Sequence, residues 1–243
     1  MLLSLESLIA ENNISIQGIL HIGAHHAEEL DLYEKIGVEK VIWIEGSPTT
    51  FQQLNKRILG RKGHAAFNLL VSDKSGQEVS FNVASFSQSS SLLEFGSHAT
   101  SYPDIKTTDH VKLKTIRLDN FFTNGLGGIN FLNLDIQGAE LMALKGMGDL
   151  INHIEYIYLE INLVQVYKGG ARLHQIDSYL GRKGFLRVNT KITNAHWGDA
   201  FYVSSTNSKM AIIANLVQAL SLEAQAEIKV IRDKFYSFRK GIL

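Results

Sequence analysis

Five short apolar runs constrain this chain most: "GILHI", "KVIWIE", "FNLLVS", "INFLNLD" and "EYIYLEI". Each is rich in β-branched or aromatic residues, and segments of helical period separate them. This alternation predicts a doubly wound α/β fold, a mostly parallel Rossmann-like sheet flanked by helices, because crossover helices must cover both faces of a parallel sheet. Helices are expected after His26, from Pro48 to Leu59, after Gly138, and over "ARLHQIDSYLGRKG". In the last, Leu173, Ile176, Tyr179 and Leu180 share a face and Gly184 offers a stop.

Two segments break the rhythm. From Gly76 to Asp119 an alternating strand leads through a serine-rich loop to a second strand, Val111 to Ile116; this is a β-hairpin and loop insertion, and long loops in compact domains are usually functional or mobile. From Ser208 the tail carries Ile213, Leu216, Val217 and Leu220, then Ile228, Ile231, Phe235 and Phe238, which predicts two helices packed on the body or on a partner chain. At the other end Leu2, Leu5, Leu8 and Ile9 sit at helical spacing, interrupted by Glu6, so an amphipathic helix is expected rather than a signal peptide. The expected organisation is an N-terminal helix over 1–17, a Rossmann-like domain over 18–206 and a helical extension over 207–243, through which a homodimer could form.

The 24 basic and 24 acidic side chains cancel, so no global field draws the molecule to nucleic acid or to an anionic membrane. The absence of cysteine excludes disulfides, thiolate zinc sites and thiol nucleophiles. No apolar run is long enough to span a bilayer, and a soluble, cytoplasmic protein is the expectation.

The first strand ends in "GAHHA", where Gly23 can turn without a Cβ and let a ligand approach the backbone. About twenty residues on, Glu45 ends the second strand, placed to accept hydrogen bonds from both ribose hydroxyls of a nucleoside; a solvated strand-end charge is the plainer alternative. Asp135 ends a central strand, Glu140 opens the next helix, and Glu160 ends a further strand on the same rim. A metal cluster of His25, His26, Glu28 and Glu29 needs side chains converging on one ion; adjacent histidines diverge, so no metal site is expected there.

In this order, "ILHIGAHHA", "VIWIEGSPTTFQQL", "LLVSDKSGQEVSFNV", "SSSLL", "TIRLDNF", "NLDIQGAELMALKGM", "YIYLEI" and "GDAFYV" resemble the FkbM-type methyltransferases, S-adenosylmethionine-dependent enzymes of the class I Rossmann-like fold. The likeness spans about residues 18 to 204, and "LDIQGAELMALKGM" is its most specific piece. It implies that His21, Gly23, Ala24 and His25 face the methionine part of the cofactor, that Glu45 and Gly46 face the ribose, and that Ser72 and Asp73 lie beside the adenine. Asp135 and Gln137 would line the cofactor edge, and Glu140 with Ser89, Ser90 and Ser91 the substrate. Three positions depart from the family pattern: His21 replaces an acid, Ala27 a glycine, and Gln137 the glutamate of D-x-E-G.

The resemblance implies O-methyl transfer to a sugar, glycan or natural-product acceptor. Such a transfer needs an aligned acceptor oxygen and a group to take its proton, for which Asp135, Glu160, His196 and Asp199 are the candidates. A cofactor-binding scaffold without turnover and a metal-dependent hydrolase are the alternatives.

Overall fold

The computed structural model describes residues 1–205 and 209–239. Its strands are β1 (Ile19–Ile22), β2 (Val41–Glu45), β3 (His64–Asn68), β4 (Leu70–Val71), β5 (Glu78–Ala84), β6 (Thr107–Ile116), β7 (Phe131–Leu134), β8 (Tyr156–Asn162), β9 (Phe185–Ile192) and β10 (Trp197–Ser204). The helices are α1 (Leu5–Asn12), α2 (Leu30–Lys35), α3 (Pro48–Ile58), α4 (His98–Ser101), α5 (Leu118–Phe121), α6 (Glu140–Gly146), α7 (Leu173–Arg182) and α8 (Lys209–Arg239).

The main sheet runs β3-β2-β1-β7-β8-β10-β9. Its first five strands are parallel and β10 is antiparallel to both neighbours, so the expected doubly wound, mostly parallel architecture is what forms. The order reverses between β1 and β7, and that switch point leaves a crevice at the carboxyl ends of the strands. β1 and β7 are buried along their whole length, which is why "ILHI" and "FLNL" carry so few charges.

"FNLLVS" does not form one strand. β3 closes the sheet at Asn68, whose side-chain amide donates to the Glu45 carbonyl at 2.7 Å. The chain then leaves the sheet edge, and Leu70–Val71 pairs instead with Thr115–Ile116 in a small β4-β6-β5 sheet. The insertion does contain its two antiparallel strands, although the second starts at Thr107 rather than Val111. Its loop folds back over the strand ends, pinned by paired Asn82 and Ser91 backbones and by Gly96 and His98 N–H groups donating to the Val166 carbonyl.

α1 is capped by Ser4 and buries Leu5 and Leu8 beside Tyr33, Trp43, Phe131 and Tyr158. The C-terminal segment forms one helix rather than two, since no glycine or proline interrupts it. It seats on its own body through small and polar residues, with Ala219, Glu223 and Ala226 buried and Glu223 bonded to the His174 ring at 2.7 Å. The apolar residues expected to pack, Ile213, Val217, Leu220, Ile228 and Ile231, instead lie on its exposed side. Ser208 and the side chains of Phe235 and Phe238 lie outside the described residues. Among the described residues no helix is long and apolar enough to cross a membrane.

Candidate active site

A cavity of about 410 Å³ opens over the ends of β1, β2, β7 and β8, roofed by the insertion loop. At its floor Gly23 has φ +82°, and a Cβ there would lie 1.7 Å from the Asp135 carbonyl oxygen. Only glycine lets β1 and β7 end side by side in this turn. The next residues wrap Glu45: the His25 N–H donates to one carboxylate oxygen at 2.9 Å and the Ser47 N–H to the other at 2.7 Å. Burial pushes the Glu45 carboxyl up to about 6, and these two amides act against that rise. Each oxygen keeps a further lone pair for a ligand hydroxyl.

The turn after β7 builds the opposite wall. Gln137, held at φ +57°, donates through its amide to Asp135 at 2.6 Å and to Glu160 at 3.0 Å, while its carbonyl accepts from the Tyr167 hydroxyl. Desolvation at the cavity wall raises Asp135 to about 6. Burial, then the charges of Asp135, Glu140 and Asp199, hold Glu160 well above the ordinary carboxylate range. Asp199 sits directly opposite Glu160 in the β8–β10 ladder and accepts from the Tyr158 hydroxyl and the Leu2 N–H.

The cavity thus brings together His21, Gly23, Ala24, His25, Glu45 and Gly46 on one side. Asp135, Gln137, Glu160 and Asp199 with Ser89 and Ser90 form the other. Five expected site residues lie elsewhere. Glu140 is buried beneath the turn, where one oxygen accepts from the Ile136 and Gly138 N–H groups, so it shapes the loop rather than meeting substrate. Ser91 donates to the Gln137 carbonyl at 2.8 Å. Ser72 turns to Asp73, at 3.3 Å, in the chain that leads to the small sheet. His196 occupies the β9–β10 turn at φ +67°, where its carbonyl accepts from Leu163 N–H.

At His21, where the resemblance implies an acid, the chain carries a buried imidazole. Burial drives its imidazole down to about 3, so it is neutral, 3.2 Å from the Tyr33 hydroxyl and packed against Trp43. Ala27 takes the left-handed conformation expected of a glycine, φ +58°, at a cost of about 1 kcal/mol.

The adjacent histidines do not diverge as expected: a positive φ at His25 brings the two rings to 3.8 Å. Ligand-type atoms of His25, His26 and Glu28 lie within 4.8 Å of one another. Glu29, however, turns toward His21, and both His25 nitrogens are engaged, by Glu28 at 2.5 Å and Ser87 at 2.8 Å.

The sequence reading missed the aromatic side of the cavity: His98, Tyr102, Tyr158, Tyr167 and Trp197. A Tyr102–Trp197 hydrogen bond of 2.9 Å ties the insertion loop to β10. The available signal was the cluster of His and Tyr inside a serine-rich loop, "SHATSY", where a solvated linker would carry few aromatics.

Residues 21–187 match the family described as "Methyltransferase FkbM domain". The 2-O-methyltransferase NoeI of Sinorhizobium fredii is 25% identical over 118 residues, covering 45% of this chain and 48% of that protein. The chain therefore spans about half the length of this curated relative. An uncharacterized protein of Listeria monocytogenes superposes with a TM-score of 0.50 at 10% identity, over 98% of this chain and 88% of that one. A SAM dependent methyltransferase from Aquifex aeolicus gives 0.47 at 10% identity, over 84% and 90%. The first of these two likenesses bears on the fold alone.

Proposed function

The chain belongs to the FkbM methyltransferase domain family, and from that premise we propose that it transfers a methyl group to a hydroxyl oxygen of a sugar, glycan or natural-product acceptor. The cofactor is S-adenosylmethionine. One observation carries the reading: a single cavity joins a backbone-braced carboxylate at the tip of β2 to Asp135, open to the cavity after β7, and to buried Glu160 on β8.

The residues present fit that cofactor. Glu45 would receive the ribose hydroxyls, and Gly23 leaves the floor free of a side chain. Asp135 and Glu160, raised by desolvation and then by the charges of neighbouring acids, suit a ligand that is positively charged. When bound, the cofactor supplies an electrophilic methyl on a sulfonium, open to in-line attack by oxygen. The chain's own task is then to orient an acceptor hydroxyl, exclude water and take one proton. The insertion loop provides the cover, clamped by Gly96 and His98 to Val166 and by Tyr102 to Trp197. The choice of a hydroxyl acceptor draws support from the name of NoeI and from a cavity wall of aromatic and hydroxyl side chains, which suits a sugar's alternating apolar and polar faces.

Isothermal titration with S-adenosylmethionine and S-adenosylhomocysteine tests the core of this proposal. Wild-type protein should bind both, and Glu45→Ala should weaken binding at least tenfold. Absence of binding, or binding indifferent to Glu45→Ala, overturns it.

A further inference from the structure

His98 opens α4 inside the insertion loop, and its ring is buried at 4% exposure. Phe95 stacks on it at 4.2 Å, with Tyr102 and Tyr167 at 5.1 and 5.5 Å. Its Nε2 is 3.2 Å from the Ser89 hydroxyl, while Nδ1 is buried with no partner among the described residues. A buried polar atom left unbonded costs roughly 1–3 kcal/mol, so an orphaned nitrogen on a cavity-lining residue points to a ligand that completes it.

We propose that His98 is the catalytic base on the acceptor side, positioned by Ser89, and this rests on the methyltransfer reading above. Ser89 accepts from Nε2–H, which leaves the Nδ1 lone pair free for the acceptor hydroxyl. As the oxygen–methyl bond forms, the carbon–sulfonium bond breaks and S-adenosylhomocysteine leaves as a neutral thioether. The hydroxyl proton passes to Nδ1, and the positive charge moves from sulfonium to imidazolium. Solvent takes the proton when product departs.

Competing bases are worse placed. Glu160 and Asp135 are both bonded by the Gln137 amide, and Asp199 is occupied by Tyr158 and Leu2. His21 is bonded to Tyr33, and His25 is engaged at both nitrogens. Burial alone lowers the His98 imidazole, which keeps it neutral and ready to accept at pH 7. Its surroundings are aromatic and hydroxyl groups, so no carboxylate opposes that effect.

The first test is independent of any acceptor: nitrogen-resolved NMR of the ring in the full chain. The expected result is a proton on Nε2, a pKa below 6.5, and loss of the single tautomer in Ser89→Ala. A proton on Nδ1, or a ring still charged at pH 7, overturns the proposal.

The second test is kinetic, with methyl glycosides of hexoses and deoxyhexoses as acceptors. For any glycoside that wild type methylates, His98→Gln should lower kcat at least 100-fold, abolish the acidic limb of the kcat profile at saturating cofactor, and leave S-adenosylmethionine affinity within threefold. Ser89→Ala should lower kcat with little change in KM. A His98→Gln kcat within threefold of wild type overturns the role. Failure of wild type to bind S-adenosylmethionine would sink the parent reading while the ring measurement still decides whether His98 is poised as stated.

Discussion

Gln137 donates its single amide group to two carboxylates, Asp135 at 2.6 Å and Glu160 at 3.0 Å, and so bridges the tips of β7 and β8. Replacing it with Glu removes both donations and inserts a further acid between the two. We expect Gln137→Glu to lower stability by about 1–2 kcal/mol at pH 8, because buried Glu160 loses its donor while half-buried Gln137 and open Asp135 stay partly solvated. The sign follows from protonation: an added acid between Asp135 and Glu160, its pKa raised by their charge, is tolerated when protonated and destabilises as pH rises through its folded value. Urea melts at pH 5 and pH 8 measure this; equal losses at both values would contradict it.

Glu45 sets a pH dependence for cofactor binding. Its folded value of about 6 lies above the ordinary 4.5, so its stability contribution is full below about 4.5 and is lost as pH rises through 6. A ligand whose hydroxyls donate to the ionised carboxylate reverses that preference. Affinity for S-adenosylhomocysteine should therefore rise about tenfold from pH 5 to pH 7, with proton release on binding. Titrations in buffers of different ionisation enthalpy check both, and Glu45→Gln should flatten the profile.

His21 acts in the opposite direction. Its folded value of about 3 is below the ordinary 6.5, so the neutral ring contributes stability above 6.5 that is lost as pH falls toward 3. Between pH 7 and pH 4.5 this is about 2–3 kcal/mol. His21→Gln should shrink the acid loss by that amount, read as the difference between wild-type and variant melts at the two pH values.

Asp177 anchors the far side of the sheet. Buried Arg187 pairs with it at 3.1 Å and also donates to the Asn215 carbonyl on α8, while the Tyr202 hydroxyl donates to Asp177 at 2.7 Å. Asp177→Ala strands a buried guanidinium and should cost about 3–5 kcal/mol. Loss of protection in α8 by hydrogen exchange should accompany it; a variant as stable as wild type would show that the pair contributes little.

Much of the fold was legible because strand and helix periods are local properties. The run "ILHI" buries every residue, Gly23 must be glycine in a turn this close to β7, and Glu45 ends its strand beside that turn. "FNLLVS" misled because the exit from a sheet edge is decided by the partner that captures the chain, here β6, far along the sequence. On α8 the apolar residues face outward because close packing onto α7 selects small side chains and the Glu223–His174 pair. Hydrophobic period alone cannot register that choice.

By itself, the sequence determined the layered α/β sheet, the turn at Gly23 and the acids at the strand tips, since each depends on residues within one element and its flanks. Only the tertiary structure decided which of those groups share a cavity. The antiparallel return of β10 sets Asp199 against Glu160, and the fold-back of the insertion loop brings His98 and Ser89 to the lining of the same cavity. It likewise withdrew Glu140, Ser91 and His196 from the site. The physical reason is that a side chain's partners are set by strand register and loop closure across the whole chain, and neither is written in the spacing of neighbouring residues.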